Sequence, residues 1–171
     1  MGGGKGRERL DREEQGNEEA RVVALLCVLL YKYGFFFSVE NPKESFLWLS
    51  TYMVHVMSVC KDDVYFIDFD QCAYGLQLPG AKEFCFCRKR TILMTNMQAL
   101  TALSARCPGV GPRHSHDVAW GGVRINGRWV SKAQAAGVYP VPLCRRWAGL
   151  AAEALRERFW DGVAPGRRYA A

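Results

Sequence analysis

Phe35-Phe36-Phe37-Ser38-Val39-Glu40-Asn41-Pro42 is the stretch whose reading decides the fold. Its first five residues form an apolar, β-rich run that is too short for a helix and suits a strand covered on both faces. Gly34 ends whatever helix precedes it. Pro42 cannot donate to a β-ladder and stops the strand. The expectation is a buried β-strand over residues 35–39 whose carboxyl-terminal lip is Glu40-Asn41-Pro42.

Upstream, Asn17 is placed to cap a helix that continues through Glu18, Glu19 and the apolar stretch from Val22 to Leu30, with its acidic residues where the helix dipole favours them. Downstream, Ser45 can cap a second helix, whose Leu47, Leu49, Met53, Val54 and Met57 recur at helical spacing. Val64-Tyr65-Phe66-Ile67 reads as a second strand followed by a turn over residues 68–75. Thr91-Ile92-Leu93-Met94-Thr95 reads as a third strand, followed by a short helix with Leu100 and Leu103 inward. Residues 107–120 read as loop. Asn126-Gly127 between Gly122-Val123-Arg124-Ile125 and Arg128-Trp129-Val130 signals a β-hairpin. Pro142 suits the first turn of a last helix reaching Phe159. The order strand, helix, strand, strand, helix predicts an α/β fold, a mostly parallel sheet with flanking helices plus a small β-hairpin.

The 171 residues suffice for one domain with a core, and 49% of them are apolar. Residues 1–19 combine four early glycines with dense charge and read as a disordered tail. Residues 20–160 form the expected domain, and residues 161–171 a flexible basic tail. The formal net charge of +6 favours nucleic acid as a partner. Seven cysteines with no apolar leader before them point to reduced thiols in an intracellular protein, nuclear or cytoplasmic rather than secreted. Lys32 and Gly34 interrupt the apolar residues 22–39, so no membrane span is expected.

Ligands of open α/β sheets sit at the carboxyl ends of strands. Glu40, Asn41 and Pro42 lie at one such end and present a carboxylate and an amide that suit the edge of a planar base. Asp68 and Asp70 at the next end can pair as acid and base only if the strand extends that far. Cys107, His114 and His116, with Cys72 as a fourth, carry the thiolate and imidazole donors that zinc takes. Cys85 and Cys87, beside Arg88, are the cysteines nearest to an electropositive setting, although their alternation with Phe84 and Phe86 is that of a strand. Trp120, Trp129, Trp147 and Trp160 are core anchors or base-stacking groups.

The succession of Val39-Glu40-Asn41-Pro42 with Ser45 and Trp48, Asp70-Gln71-Cys72-Ala73-Tyr74-Gly75, and residues 88–96 resembles the second half of DNA cytosine-5 methyltransferase-like domains. The similarity is greatest to a divergent group in algal, mobile-element and viral sequences. Cys107-Pro108-Gly109, His114-Ser115-His116, Trp120, residues 136–140 and Leu143-Cys144 continue the same order, so the resemblance spans residues 20–148. It implies that Glu40 holds a target cytosine and that Arg88 and Arg90 orient the pyrimidine or a neighbouring phosphate. S-adenosylmethionine is implied as the family's cofactor. No Pro-Cys nucleophile motif and no glycine-rich cofactor loop precedes Glu40 here, so the resemblance implies a truncated or split protein, inactive alone, with a second chain supplying the cofactor half. The competing expectation is a non-enzymatic, zinc-stapled module that binds nucleic acid or protein.

Overall fold

The computed structural model describes residues 4–161. Helix α1 (Gly4–Lys32) leads into strand β1 (Ser38–Pro42), helix α2 (Thr51–Cys60) and strand β2 (Tyr65–Asp70). Strands β3 (Cys85–Cys87), β4 (Arg90–Thr95), β5 (Ser115–Asp117), β6 (Gly122–Ile125) and β7 (Arg128–Ser131) follow. Helices α3 (Lys132–Ala135) and α4 (Val141–Arg156) complete the order. The fold is mixed α/β. No helix among the described residues is long and apolar enough to cross a membrane.

The main sheet is three-stranded, in the order β1-β4-β2, and both pairings are antiparallel. This corrects the expectation of a mostly parallel sheet. β1 and β2, joined through α2, do run in the same direction, because each is antiparallel to the same neighbour. β4 lies between them, however, and takes the hydrogen bonds of both. The one parallel pairing of named strands joins β3 to β5, three residues each, and β6 with β7 forms a separate hairpin.

Two cores sandwich the main sheet. On one face Met94 packs with Ala24, Cys27 and Val28 of α1 and with Met53, Val56 and Cys60 of α2. On the other, Ile67, Phe69 and Leu93 pack with Leu100, Leu103 and Leu143. The alternation follows from the strand period of two, since Leu93 and Met94 point to opposite faces. A third cluster joins Leu76, Leu78 and Cys87 to Ala135 and Ala136 beneath the hairpin residues Val123, Ile125 and Val130.

Local boundaries moved where tertiary partners replaced local preference. Strand β1 starts at Ser38 rather than Phe35, because the Asn96 side chain holds the preceding backbone in place of a ladder. Its Oδ1 accepts from Phe37 N at 2.8 Å and its Nδ2 donates to Phe35 O at 3.0 Å. Glu40-Asn41-Pro42 therefore forms the second half of the strand, with Glu40 opposite Leu93, rather than a lip beyond it. Strand β2 likewise runs on through Asp68 to Asp70. The charged segment expected as a tail is instead continuous with α1, and the expected C-terminal tail lies, but for its first residue, outside the described residues. The hairpin forms as expected, with Asn126 and Gly127 both at positive φ, 50° and 77°. Helix α4 has its proline in the first turn.

Leu93 at the centre of β4 is 0% exposed. Leu93→Ala should lower stability by about 2 to 5 kcal/mol in urea unfolding. Phe46→Ala, at a side chain that is 86% exposed, should change it by no more than about 0.5 kcal/mol.

Candidate metal centre

Cys72 stands in the single helical turn Gln71–Tyr74 that β2 enters directly. That turn closes on Gly75, which adopts the left-handed conformation at φ 85° and donates to Cys72 O at 3.0 Å. The other three donors come from residues 107–116. A tight turn with paired backbone bonds between Gly111 and His114, 2.8 and 3.1 Å, folds this loop back on itself. His116 is then fixed by the β3–β5 ladder opposite Phe86, and the Phe86 ring stacks on His114 at 4.7 Å between centroids.

The four donor atoms converge, all lying within 4.8 Å of one another. Cys107 Sγ is 3.5 Å from His114 Nε2 and 3.3 Å from His116 Nε2, and the two Nε2 atoms are 3.0 Å apart. Zinc–nitrogen bonds of about 2.0 Å and zinc–sulfur bonds of about 2.3 Å put tetrahedral donors roughly 3.3 to 3.8 Å from each other. The arrangement therefore fits a Cys₂His₂ set around one tetrahedral ion, with no protein rearrangement larger than a fraction of an ångström for those three atoms. Gly109 N donates to Cys107 Sγ at 3.4 Å.

Asp70, 2% exposed, ties the two segments together. Its backbone N donates to Ala105 O at 2.8 Å, and its Oδ2 accepts from Cys107 N at 2.9 Å. Arg88 Nε and Arg90 Nε approach Oδ1 at 3.5 and 3.9 Å, so the guanidinium groups expected on a pyrimidine or phosphate neutralise this buried carboxylate. Asp68, on the same face of β2, pairs with Lys43 and with Arg106 at 2.8 Å. Burial acts to raise the Asp68 pKa, but the hydrogen bonds from Lys43 and Arg106 outweigh it and hold the carboxyl below its ordinary value.

Glu40, Asn41 and Pro42 lie away from the metal donors. Glu40 Oε2 accepts from the Tyr139 hydroxyl at 2.5 Å, while Lys89 Nζ lies 3.9 Å from Oε1 and over the Tyr139 ring. Burial and then the bond to Glu40 push the Tyr139 phenol well above its usual range, so it remains a donor. Sequence reasoning missed Tyr139 as this partner because 99 residues separate the pair. Pro42 O takes the indole N–H of Trp48 at 3.0 Å. Cys85 and Cys87 stand on β3, with Cys87 buried in the third core, as strand packing requires. None of the seven cysteines is in a disulfide.

Protonation sets the terms of metal uptake. Burial, reinforced by Cys107, pushes the Cys72 thiol up to about 12, so this thiol must release its proton to become a ligand. Burial, then His114 and Arg88, hold His116 below the ordinary histidine range, so it is neutral near pH 7 with a lone pair free. Because the folded pKa of His116 is depressed, its stabilising contribution is present above the unfolded value of 6.5 and is lost as pH falls below it. Zinc affinity should accordingly fall steeply from pH 8 to pH 5, and calorimetry in buffers of different ionisation enthalpy should show at least one proton released per zinc at neutral pH. Comparison with protein-family models, curated proteins and solved structures finds no match to this chain.

Proposed function

We propose that this chain is a non-enzymatic, zinc-stapled module that binds nucleic acid. The observation that carries the proposal is the convergence of Cys72 with Cys107, His114 and His116, donors from two segments far apart in sequence that meet within 4.8 Å. Four protein donors leave no open position, which is the pattern of a structural site rather than a catalytic one. The metal, when bound, would cross-link the end of β2 to a loop that otherwise buries little.

Charge distribution supports nucleic acid as the partner. From Phe84 to Ala152 the chain carries ten basic residues and a single acidic one, Asp117. The basic surplus is thus concentrated in the half that also holds three of the four zinc donors. Phosphate contacts made by such a surface give affinity with strong salt dependence.

A second reading, the target-recognition half of a cytosine-5 methyltransferase-like protein completed by a second chain, is supported by one observation. Glu40 Oε1 is buried without a hydrogen-bond partner, so the corner made by Glu40, Tyr139 and Lys89 keeps one acceptor unspent, which a base could reach only if the corner opened. The half-domain fold belongs to this second reading, and the antiparallel order of the main sheet lends it no support.

Metal analysis of the purified chain should give about one equivalent of zinc, and Cys107→Ser should reduce it severalfold and lower the melting temperature; less than about a tenth of an equivalent in the unmodified chain would sink the first reading. Calorimetric titration with S-adenosylmethionine should show no binding to this chain alone. Micromolar binding there would overturn the half-domain form of the second reading, in which another chain holds the cofactor.

A further inference from the structure

The hairpin β6–β7 has one face on the protein and one in solvent. Val123, Ile125 and Val130 pack on the third core. Gly122, Arg124, Trp129 and Ser131 occupy the opposite face, since Arg124 stands directly across from Trp129 and Gly122 across from Ser131. Trp129 is 71% exposed, yet its indole is not splayed into solvent at random. It lies against the Gly122 backbone so closely that a β-carbon there would overlap Cε2, Cζ2 and Nε1. Glycine at this position creates the seat on which the ring rests, leaving the ring's other face open. Trp120, 84% exposed, lies two residues before the seat.

Arg124, across from Trp129, lies on this face without an acidic partner. Arg124 and Arg128 on the hairpin and Arg113 on the metal-donor loop are exposed. No carboxylate pairs with any of the three among the described residues. Asp117, the one nearby acid in sequence, is taken by Lys132 at 2.8 Å. An exposed apolar ring alone would suit several partners; a seated ring beside an unpaired guanidinium group suits a flat π-face carried on a polyanion. Duplex bases are stacked and unavailable to such a ring, whereas unpaired bases are free to lie on it.

We infer that the solvent face of the β6–β7 hairpin is a stacking platform for single-stranded nucleic acid, with a base laid on Trp129 and an adjoining phosphate met by Arg124, which stands across from it. This rests on the nucleic-acid-binding reading above and names its surface and substrate class.

The test uses the full, zinc-loaded chain with a fluorescently labelled 20-nucleotide thymidine oligomer, the matching uridine oligomer and a 20-base-pair DNA duplex, read by anisotropy. Both single strands should bind more tightly than the duplex, and the ratio of the first two decides between DNA and RNA as the source. Trp129→Ala should weaken single-strand binding about 5- to 150-fold, the range for loss of one base–aromatic stack. Gly122→Ala, which unseats the ring and leaves every charge in place, should weaken it in the same direction. Arg124→Ala should reduce the salt slope by about one. Zinc content and melting temperature should be unchanged in all three, and Trp160→Ala, also 71% exposed, should bind as the unmodified chain does. If the unmodified chain binds and Trp129→Ala binds equally well, or if duplex is preferred, the platform is overturned while the broader reading stands. If the zinc-loaded chain binds none of the three probes, the nucleic-acid reading itself fails.

Discussion

Asp70 is the buried charge on which sheet and site both depend. It is the last residue of β2, paired with Arg90 across the ladder, and almost wholly removed from water. A carboxylate in such a place is costly unless neutralised and hydrogen-bonded. The structure answers this cost by bringing the charges of Arg88 and Arg90 within 3.5 and 3.9 Å of Oδ1, which makes no hydrogen bond, and the amide of Cys107 to Oδ2. The carboxylate therefore determines where the loop after residue 105 must pass. Cys107 arrives beside Cys72 because the residue two before Cys72 in sequence needs its amide.

The same constraint separates the candidate metal centre from the Glu40 corner. The Arg88-Lys89-Arg90 run alternates in direction as an extended chain does, so Arg88 and Arg90 go to Asp70 while Lys89 goes to Glu40 and Tyr139. One tribasic segment thus serves two acidic sites. In each, the cations are engaged by protein carboxylates. The unpaired guanidinium groups of Arg113, Arg124 and Arg128 lie elsewhere, on the metal-donor loop and the hairpin.

Much of the local structure was legible in the residues. The Asn126-Gly127 turn, the inward Leu100 and Leu103, the residues of β4 and the proline-led α4 follow from turn chemistry and periodicity, which act within a few residues. The four candidate metal donors could be named from their chemistry, since thiolate and imidazole are ligands that zinc takes. Their convergence could not, because no local pattern relates residue 72 to residues 107–116. The start of β1 was misjudged for a similar reason: Phe35-Phe36-Phe37 has strand composition, but Asn96, far along the chain, takes the backbone groups a neighbouring strand would have taken.

Sequence by itself determined the apolar faces, the hairpin and the donor chemistry, because these depend on side-chain volume, backbone freedom and hydrogen-bonding capacity at neighbouring positions. Tertiary structure alone decided strand direction and neighbourhood. An apolar run reads the same whichever way its partner points, and β1 and β2 run parallel, as a strand-helix-strand order predicts, without touching. β4 inserts between them, antiparallel to both, and so turns a parallel expectation into an antiparallel sheet. Which residues meet in the site follows from that insertion, since it places Arg90 opposite Asp70 and sets the buried charge that draws in the metal-donor loop.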